Sequence, residues 1–318
     1  MRIELIDRSH SLYRDAFIIR GYVFGTGTRS LCIVGSTRGN EYQQLYVCSK
    51  LVESLARAEE EGRLAEGHEI MVIPSCNPSS MNIEKRFWPI DNTDINRMFP
   101  GYDRGETTQR IADCIFRAVQ DYAIGIQLTS FYMPGLFLPH VVIMQTELEY
   151  TALAADLEVP YVVVRRPRPF DTTTLNYNWQ IWESRAFSLY TTSTDSLNPV
   201  SALQGVRHIL GFMLRQGLMH GTPAAAQPCR VLNEDEDVLS VRTRCAGFFI
   251  PRVQVQEQVA CGQVLARIED TTRGTLLEEV RAPCAGTVFF MHSRPLVYSH
   301  TAAIKIIRDE GQVPPPPP

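Results

Sequence analysis

Short apolar runs alternate with segments of helical period over the first 220 residues, and this alternation constrains the fold most. Residues 31–35 (LCIVG) and 69–74 (EIMVIP) are typical of buried strands. Between them, residues 41–60 carry apolar side chains at helical spacing, which predicts a helix. Strands that alternate with helices form layered α/β structures with a largely buried sheet. Further helices are predicted at 107–122 and 199–219, and further strands at 123–129, 139–145, 159–165 and 185–192.

The pattern changes after residues 221–227 (GTPAAAQ), a segment typical of a linker. From residue 231 to residue 307 the chain consists of short β runs broken by Gly and Pro, and the triplet Cys-Ala-Gly precedes one run at 245 and another at 284. The sequence ends in PPPPP, which is a stiff polyproline stretch. These changes predict an α/β domain at 1–220, an all-β domain at 229–308 and a Pro-rich disordered tail at 309–318.

Composition excludes several classes of function. The formal net charge is -4, so electrostatics give no reason to expect a nucleic-acid partner. No apolar run approaches the roughly 20 residues that a membrane-spanning helix needs, so we expect no membrane partner. The eight cysteines form no CxxC pair and lie mostly in apolar stretches, as buried free thiols do. Together these features favour a reducing cytoplasm.

The most specific motif lies in the sixteen residues 86–101, RFWPIDNTDINRMFPG. Asp-Ile-Asn-Arg at 94–97 is followed by Phe-Pro-Gly at 99–101, and Arg86 precedes Asp94 by eight residues. This arrangement resembles the substrate-carboxylate loop of the succinylglutamate desuccinylase/aspartoacylase family, whose members are relatives of the zinc carboxypeptidases.

Four residues of this block are candidates for binding a small carboxylated ligand: Arg86, Asp94, Asn96 and Arg97. A guanidinium such as that of Arg97 presents a planar fork that fits a carboxylate, and the amide of Asn96 adds a donor. Asp94 is placed to orient Asn96 or Arg97. Arg86 resembles the second substrate-side arginine of the family, with a structural salt bridge as its alternative role.

The resemblance extends over nearly the whole chain. It implies a carboxypeptidase-like mixed sheet flanked by helices, followed by an all-β domain similar to the barrel-sandwich domain of biotinyl and lipoyl carriers. A carrier needs a lysine at its hairpin tip, and no lysine occurs between Lys85 and Lys305. We therefore expect the second domain to be structural, shaping a cleft or mediating assembly. Members of the family hydrolyse the amide bond of N-acyl amino acids with zinc, a water and a glutamate.

Two of the three zinc ligands of the family are missing. Its His-Gly-x-Glu corresponds to Arg38-Gly39-Asn40-Glu41, and its Asp-x-His corresponds to Gln127-Leu128-Thr129. Zinc catalysis needs three protein ligands and an open position for water. Glu41 alone remains a competent ligand, because Arg38 stays protonated and Thr129 offers only a neutral hydroxyl. We predict an ion pair between Arg38 and Glu41 in the vacated position. The alternative is that both side chains face solvent.

The general base of the family is missing as well. In the family a glutamate in the strand before the final helix activates the zinc-bound water, and the alignment puts Tyr190 at this position. A tyrosine hydroxyl, with an ordinary pKa of about 10, is a poor base. Glu183 lies seven residues upstream, on the same strand face only if no bulge intervenes.

Three functional hypotheses remain open, and whether the chain is an enzyme depends on which one holds. The first is a zinc-site-deficient family member that binds a carboxylated, amino-acid-derived ligand or acts as a partner subunit, with no cofactor. The second is an active deacylase of N-acyl amino acids whose zinc is held by rearranged ligands, such as Glu41, His140 and a cysteine. The third is a metal-free enzyme that uses the arginine-rich pocket for other chemistry. A homo-oligomer or a protein partner is compatible with all three.

Overall fold

The computed structural model describes residues 1–10, 15–146, 150–225 and 227–309. These residues form two compact units. The first unit contains Met1–Ser130, Pro139–Thr191 and Asp195–Val231, and the second contains Phe131–Leu138, Thr192–Thr194 and the chain from Leu232 onward. The tail predicted at 309–318 lies outside the described residues except for Asp309.

The three long helices predicted from the sequence are present. The helices are, in chain order, α1 Tyr42–Glu60, α2 Pro78–Met81, α3 Thr107–Val119, α4 Thr151–Ala155, α5 Leu175–Ile181, α6 Pro199–Arg215 and α7 Glu234–Asp237. Two 3-10 turns lie at Ile95–Arg97 and Pro169–Asp171. The predicted helices correspond to α1, α3 and α6. The other helices have at most seven residues, too few for a helical period to appear in the sequence.

The six strands predicted in the α/β region are also present, as β3, β4, β5, β7, β8 and β9 of the following set. The strands are β1 Arg2–Ser9, β2 Phe17–Gly25, β3 Gly27–Ser36, β4 Gly67–Ser75, β5 Ile124–Thr129, β6 Gly135–Phe137, β7 His140–Met144, β8 Tyr161–Arg165, β9 Arg185–Tyr190, β10 Arg230–Asn233, β11 Val238–Arg242, β12 Gly247–Pro251, β13 Gln258–Val259, β14 Val264–Glu269, β15 Leu276–Arg281, β16 Gly286–His292, β17 Leu296–Val297 and β18 Ala302–Arg308. The sequence pattern did not reveal β1 and β2, because charged side chains interrupt their apolar residues.

The larger sheet is mixed and has nine strands in the order β1-β2-β4-β3-β5-β9-β7-β8-β10. Its centre is parallel, since β3 pairs in parallel with β4 and β5, and β5 pairs in parallel with β9. Antiparallel pairs join β2 to β4 and β7 to β9. The carboxyl ends of β3, β4, β5 and β9 therefore meet at one edge of the sheet, where ligands bind in open α/β sheets.

Helices cover both faces of this sheet, as predicted. Leu31 and Ile33 on β3 belong to the apolar cluster that includes residues of α1 and α6. Cys32 and Val34, which alternate with them, belong to the cluster that includes residues of α3 and α5. Successive side chains of a strand point to opposite faces, so a strand buried on both faces is apolar throughout. This is the physical reason for the continuous apolar run at 31–35.

The second unit is built from antiparallel strands, which confirms the all-β prediction. One sheet has the order β11-β18-β16-β13 with β6 paired to β16, and the other has the order β15-β14-β12-β17. Side chains from both sheets, among them Phe249, Leu265, Val288 and Ile304, form one core. The sequence analysis assigned the segment that contains β6 to the first domain, but the structure places this segment in the second unit. The assignment was wrong because β6 pairs with β16, which is distant in sequence and leaves no local pattern.

Within the described residues, no helix is both long and apolar enough to cross a membrane. All eight cysteines are free thiols. Cys32, Cys48 and Cys76 have no exposed surface, and burial raises the pKa of each of these three thiols. Their thiolate forms are therefore suppressed, which is typical of inert core cysteines.

Candidate functional site

The candidate site lies at the edge of the sheet where β3, β5 and β9 have their carboxyl ends. β3 ends at Ser36 and leads into the turn 37–41, which precedes α1. β5 ends at Thr129, and the register of β5 and β9 places Thr129 opposite Tyr190. Parallel strands thus bring three segments that are distant in sequence to one place.

Glu41 is completely buried and accepts hydrogen bonds at both carboxylate oxygens. Its Oε2 accepts from the main-chain N of Thr37 at 3.0 Å and of Arg38 at 3.1 Å. Its Oε1 accepts from Nη1 of Arg38 at 3.1 Å and from the hydroxyl of Ser130 at 2.8 Å. A buried carboxylate needs such partners, because taking its charge out of water costs several kcal/mol.

The guanidinium of Arg38 lies between two carboxylates and is itself buried. Nη1 pairs with Glu41, while Nε and Nη2 donate to Asp94 at 3.0 Å and 2.9 Å. Burial lowers the pKa of Arg38, but the carboxylates of Asp94 and Glu41 outweigh burial and leave this pKa raised. The predicted ion pair between Arg38 and Glu41 is confirmed. Its extension to Asp94 is a finding of the structure.

The turn that carries Arg38 also contacts the segment 86–101, which the sequence predicts to bind a carboxylate, through its backbone. The N–H of Gly39 donates to the carbonyl of Arg86 at 3.0 Å. A Cβ atom added at Gly39 would lie 2.3 Å from the carbonyl oxygen of Lys85, so this close approach requires glycine. Gly39 therefore allows the turn that carries Arg38 to pack closely against the backbone at Lys85 and Arg86.

Asn96 is held by a residue on β5. Its Oδ1 accepts from Nε2 of Gln127 at 2.9 Å and from the main-chain N of Leu175 at 3.4 Å. Its main-chain N donates to Oδ1 of Asp94 at 3.1 Å. Asp94 therefore positions the backbone of Asn96 while it pairs with Arg38, which is a more specific role than the orienting role predicted from the sequence.

Arg97 is partly accessible, with 30% of its side chain exposed. Its Nη1 donates to the carbonyl oxygen of Phe170 and lies 3.8 Å from Oδ1 of Asp171. Its guanidinium carbon lies 5.2 Å from the centre of the Phe170 ring, a cation–π contact. Arg86, the second predicted arginine, donates from Nη1 to Oδ1 of Asn40 at 3.4 Å. The two arginines are thus held by different loops.

The remaining predicted residues, Thr129 and Tyr190, make contacts within the first unit. At the end of β5, the hydroxyl of Ser130, one residue beyond Thr129, donates to Glu41. The carbonyl of Thr129 accepts from Nε2 of Gln44 at 2.9 Å. Tyr190 stacks on His140, with ring centres 4.5 Å apart and an interplanar angle of 12°. Both rings are buried at the pairing of β7 with β9.

The residues at the metal positions of the family do not fit zinc. Both oxygens of Glu41 are engaged, and a guanidinium lies beside them. Arg38 stays protonated, so it cannot ligate a metal and would repel a dication. Among the residues that the structure describes, no three His, Cys, Asp or Glu side chains are grouped closely enough to hold a metal ion. Arg38 instead supplies the positive charge beside Glu41.

The sequence of the chain is similar to those of known proteins. The sequence model of the succinylglutamate desuccinylase/aspartoacylase catalytic domain matches residues 27–184. The chain belongs to the succinylglutamate desuccinylase/aspartoacylase family. It is similar to the N-alpha-acetyl-L-2,4-diaminobutyric acid deacetylase of Halomonas elongata, with 26% identity over 276 residues, which cover 83% of this chain and 77% of that protein. The family is one of deacylases and desuccinylases, so this member is a hydrolase-like protein.

Two solved structures have the same fold as this chain. The succinylglutamate desuccinylase/aspartoacylase of Rhodobacter sphaeroides superposes with a TM-score of 0.81 at 21% identity and covers 96% of both chains. The product-bound ectoine utilization protein EutE of Ruegeria pomeroyi superposes with a TM-score of 0.79 at 20% identity, covering 95% of this chain and 93% of that chain. The predicted zinc carboxypeptidase-like fold is confirmed.

Three contacts of the site have no local signal in the sequence. Arg38 meets Asp94 across 56 residues, Ser130 meets Glu41 across 89, and Gln127 meets Asn96 across 31. The departures from the family at Arg38 and Gln127 were the available clue. Their partners, Asp94 and Asn96, both lie in the segment 86–101.

Proposed function

We propose that this member is zinc-site-deficient and binds a carboxylated, amino-acid-derived ligand without zinc-dependent hydrolysis. The observation that carries the proposal is the guanidinium of Arg38, which is hydrogen-bonded to Glu41 and to Asp94. It places a permanent cation beside the one retained zinc ligand. Tyr190, at the position of the general base, stacks on a histidine and is a poor base.

The ligand-binding half of the site supports the second part of the proposal. Asn96 and Arg97 lie on one 3-10 turn that Asp94 caps, and 30% of the Arg97 side chain is exposed. A charge-assisted hydrogen bond from such a group to a carboxylate contributes about 1.5–3 kcal/mol. The relative from Halomonas elongata acts on N-alpha-acetyl-L-2,4-diaminobutyric acid by its name, so this compound is a suitable probe.

The proposal also covers the class of ligand, the partners, the cofactor and the cellular compartment of the protein. The net charge of -4 supports a small-molecule ligand in place of nucleic acid, and we propose no membrane partner and no resident cofactor. The eight free thiols support a reducing cytoplasm. Action as a partner subunit, and assembly as a homo-oligomer or with a protein partner, belong to the same proposal.

Calorimetric titration with N-alpha-acetyl-L-2,4-diaminobutyrate tests ligand binding. We expect binding by the unmodified protein and an affinity about tenfold to a hundredfold lower for Arg97→Ala, since one charge-assisted contact is lost. N-acetyl-1,3-diaminopropane, the same molecule without its carboxylate, should not bind. Arg57→Ala on α1, whose arginine is 64% exposed, is the matched control and should bind as the unmodified protein does.

Elemental analysis of the same preparation tests the absence of zinc hydrolysis. We expect no stoichiometric zinc and no release of acetate from the probe after zinc is added. One zinc per chain together with acetate release would contradict the proposal and would favour an active deacylase with rearranged ligands. Equal affinity of Arg97→Ala and the unmodified protein would contradict the proposed carboxylate-binding site.

A further inference from the structure

The hydrogen-bond partners of the Asn96 side-chain amide fix which way its oxygen and nitrogen point. Its Oδ1 accepts from Nε2 of Gln127 at 2.9 Å and from the main-chain N of Leu175 at 3.4 Å. An asparagine amide can generally be turned over so that O and N exchange places, and Gln127 could turn with it. The main-chain N–H of Leu175 is a donor only and cannot adapt. Oδ1 therefore faces these two donors, and Nδ2 faces away from them.

Nδ2 of Asn96 is the part of this amide that is left for a ligand. In the described residues no acceptor takes a hydrogen bond from it, and it is not one of the buried polar atoms without a partner. It therefore keeps some contact with solvent, although the residue as a whole is only 5% exposed. An amide nitrogen donates and does not accept, so the group bound here must offer an acceptor oxygen.

We infer that Gln127 is a positioning residue that makes Asn96 a hydrogen-bond donor to the ligand and restricts the bound group to an acceptor oxygen such as that of a carboxylate. The inference rests on the proposed carboxylate site. Gln127 is 1% exposed, so its amide is fixed within the protein. The family has an aspartate at this position. An ionised carboxyl would present a second acceptor to Oδ1 of Asn96, whereas the amide of Gln127 donates to it.

Gln127→Glu tests this role, because a glutamate donates only when it is protonated. At about pH 8 the ionised carboxyl opposes Oδ1, and we expect an affinity for N-alpha-acetyl-L-2,4-diaminobutyrate about twofold to tenfold lower than that of the unmodified protein. At about pH 5 the protonated carboxyl can donate to Oδ1, since burial raises the pKa of a carboxyl group. Part of the lost affinity should then return. The unmodified protein should change little, because the carboxylate and ammonium of the probe keep their charges between these pH values.

Two further variants separate positioning from general damage. Gln127→Met has a similar shape but cannot donate, so its loss of affinity should be the same at both pH values. Gln258→Glu on β13 adds a carboxyl group at an exposed position of the second unit and should leave affinity unchanged. In the ligand-free protein, the side-chain amide signal of Asn96 in a ¹⁵N–¹H spectrum, assigned with Asn96→Asp, should move in Gln127→Met.

The outcomes distinguish this inference from the proposed function. If Gln127→Glu and Gln127→Met bind like the unmodified protein at both pH values and the Asn96 signal stays in place, the positioning role is overturned. Binding that still depends on Arg97 would then leave the carboxylate site standing. Failure of the unmodified protein to bind the probe overturns the carboxylate site, and with it the role given to Asn96.

Discussion

At the scale of single residues, two side chains that differ from the family motifs, one aligned with a zinc ligand and one with the aspartate of Asp-x-His, both contact the segment 86–101. Arg38 joins Glu41 to Asp94, and Gln127 holds the amide of Asn96. A buried guanidinium between two carboxylates gains enough hydrogen bonds to offset the cost of removing its charge from water only while both partners remain. Arg38 is therefore expected to matter for the stability of the first unit, whether or not the site binds a ligand.

Arg38→Met should lower the free energy of unfolding by about 3–5 kcal/mol, because it leaves Glu41 and Asp94 without their cation. Urea denaturation followed by circular dichroism measures this change. The matched control is Arg117→Met on α3, which removes an arginine that is 58% exposed and pairs with Asp113. An exposed pair of this kind contributes about 0–1 kcal/mol. Equal losses in the free energy of unfolding for the two substitutions would show that Arg38 contributes no more to stability than an exposed arginine does.

At the scale of elements, one polar side chain connects α1 to the start of α6. Gln43 is completely buried on the face of α1 that packs into the core. Its Nε2 donates to the hydroxyl of Thr191 at 2.7 Å and of Ser201 at 3.2 Å, and its Oε1 accepts from the main-chain N of Asn198 at 2.8 Å. The chain that leaves β9 next to Tyr190 is therefore tied to the helix that begins after Glu41.

Gln43→Leu keeps the size and helical preference of the side chain but removes these hydrogen bonds. The main-chain N–H of Asn198 then loses its partner, and we expect a loss of about 1–3 kcal/mol in the free energy of unfolding. Gln204→Ala on the exposed face of α6 serves as the control and should change stability by less than about 0.5 kcal/mol. Urea midpoints at constant slope provide the comparison. A neutral Gln43→Leu would mean that α1 and α6 are held by apolar packing alone.

At the scale of the whole molecule, each of the two units has its own core. The reactivity of a buried cysteine in each core indicates whether that core is folded. Cys48 is completely buried in the first unit, and Cys284 is 5% exposed in the second. Burial raises the pKa of both thiols. Cys261, also in the second unit, is exposed. The thiolate is the reactive form, so exposure and pKa together predict which cysteine reacts first.

Iodoacetamide at about pH 8 should therefore alkylate Cys261 before the buried thiols. A raised folded-state pKa keeps Cys48 and Cys284 protonated at this pH, and they should react only as their unit unfolds. Peptide mass spectrometry after increasing times of labelling measures the order, and labelling in concentrated urea is the control in which all eight cysteines should react. Rapid native labelling of Cys48 would contradict the packing of the first core.

The sequence by itself determined the α/β character of the first 220 residues and the all-β character of the region after the linker, and it supplied the motifs on which the proposed ligand-binding segment 86–101 and the proposed loss of zinc ligands rest. These features depend on local periodicity and on short motifs, which are written in neighbouring residues. Tertiary structure decided the rest: that Arg38 bridges Glu41 and Asp94, that Ser130 and not Thr129 reaches Glu41, and that β6 pairs in the second unit. Those contacts join residues far apart in sequence. Their partners are chosen by strand order and burial, which no local pattern records.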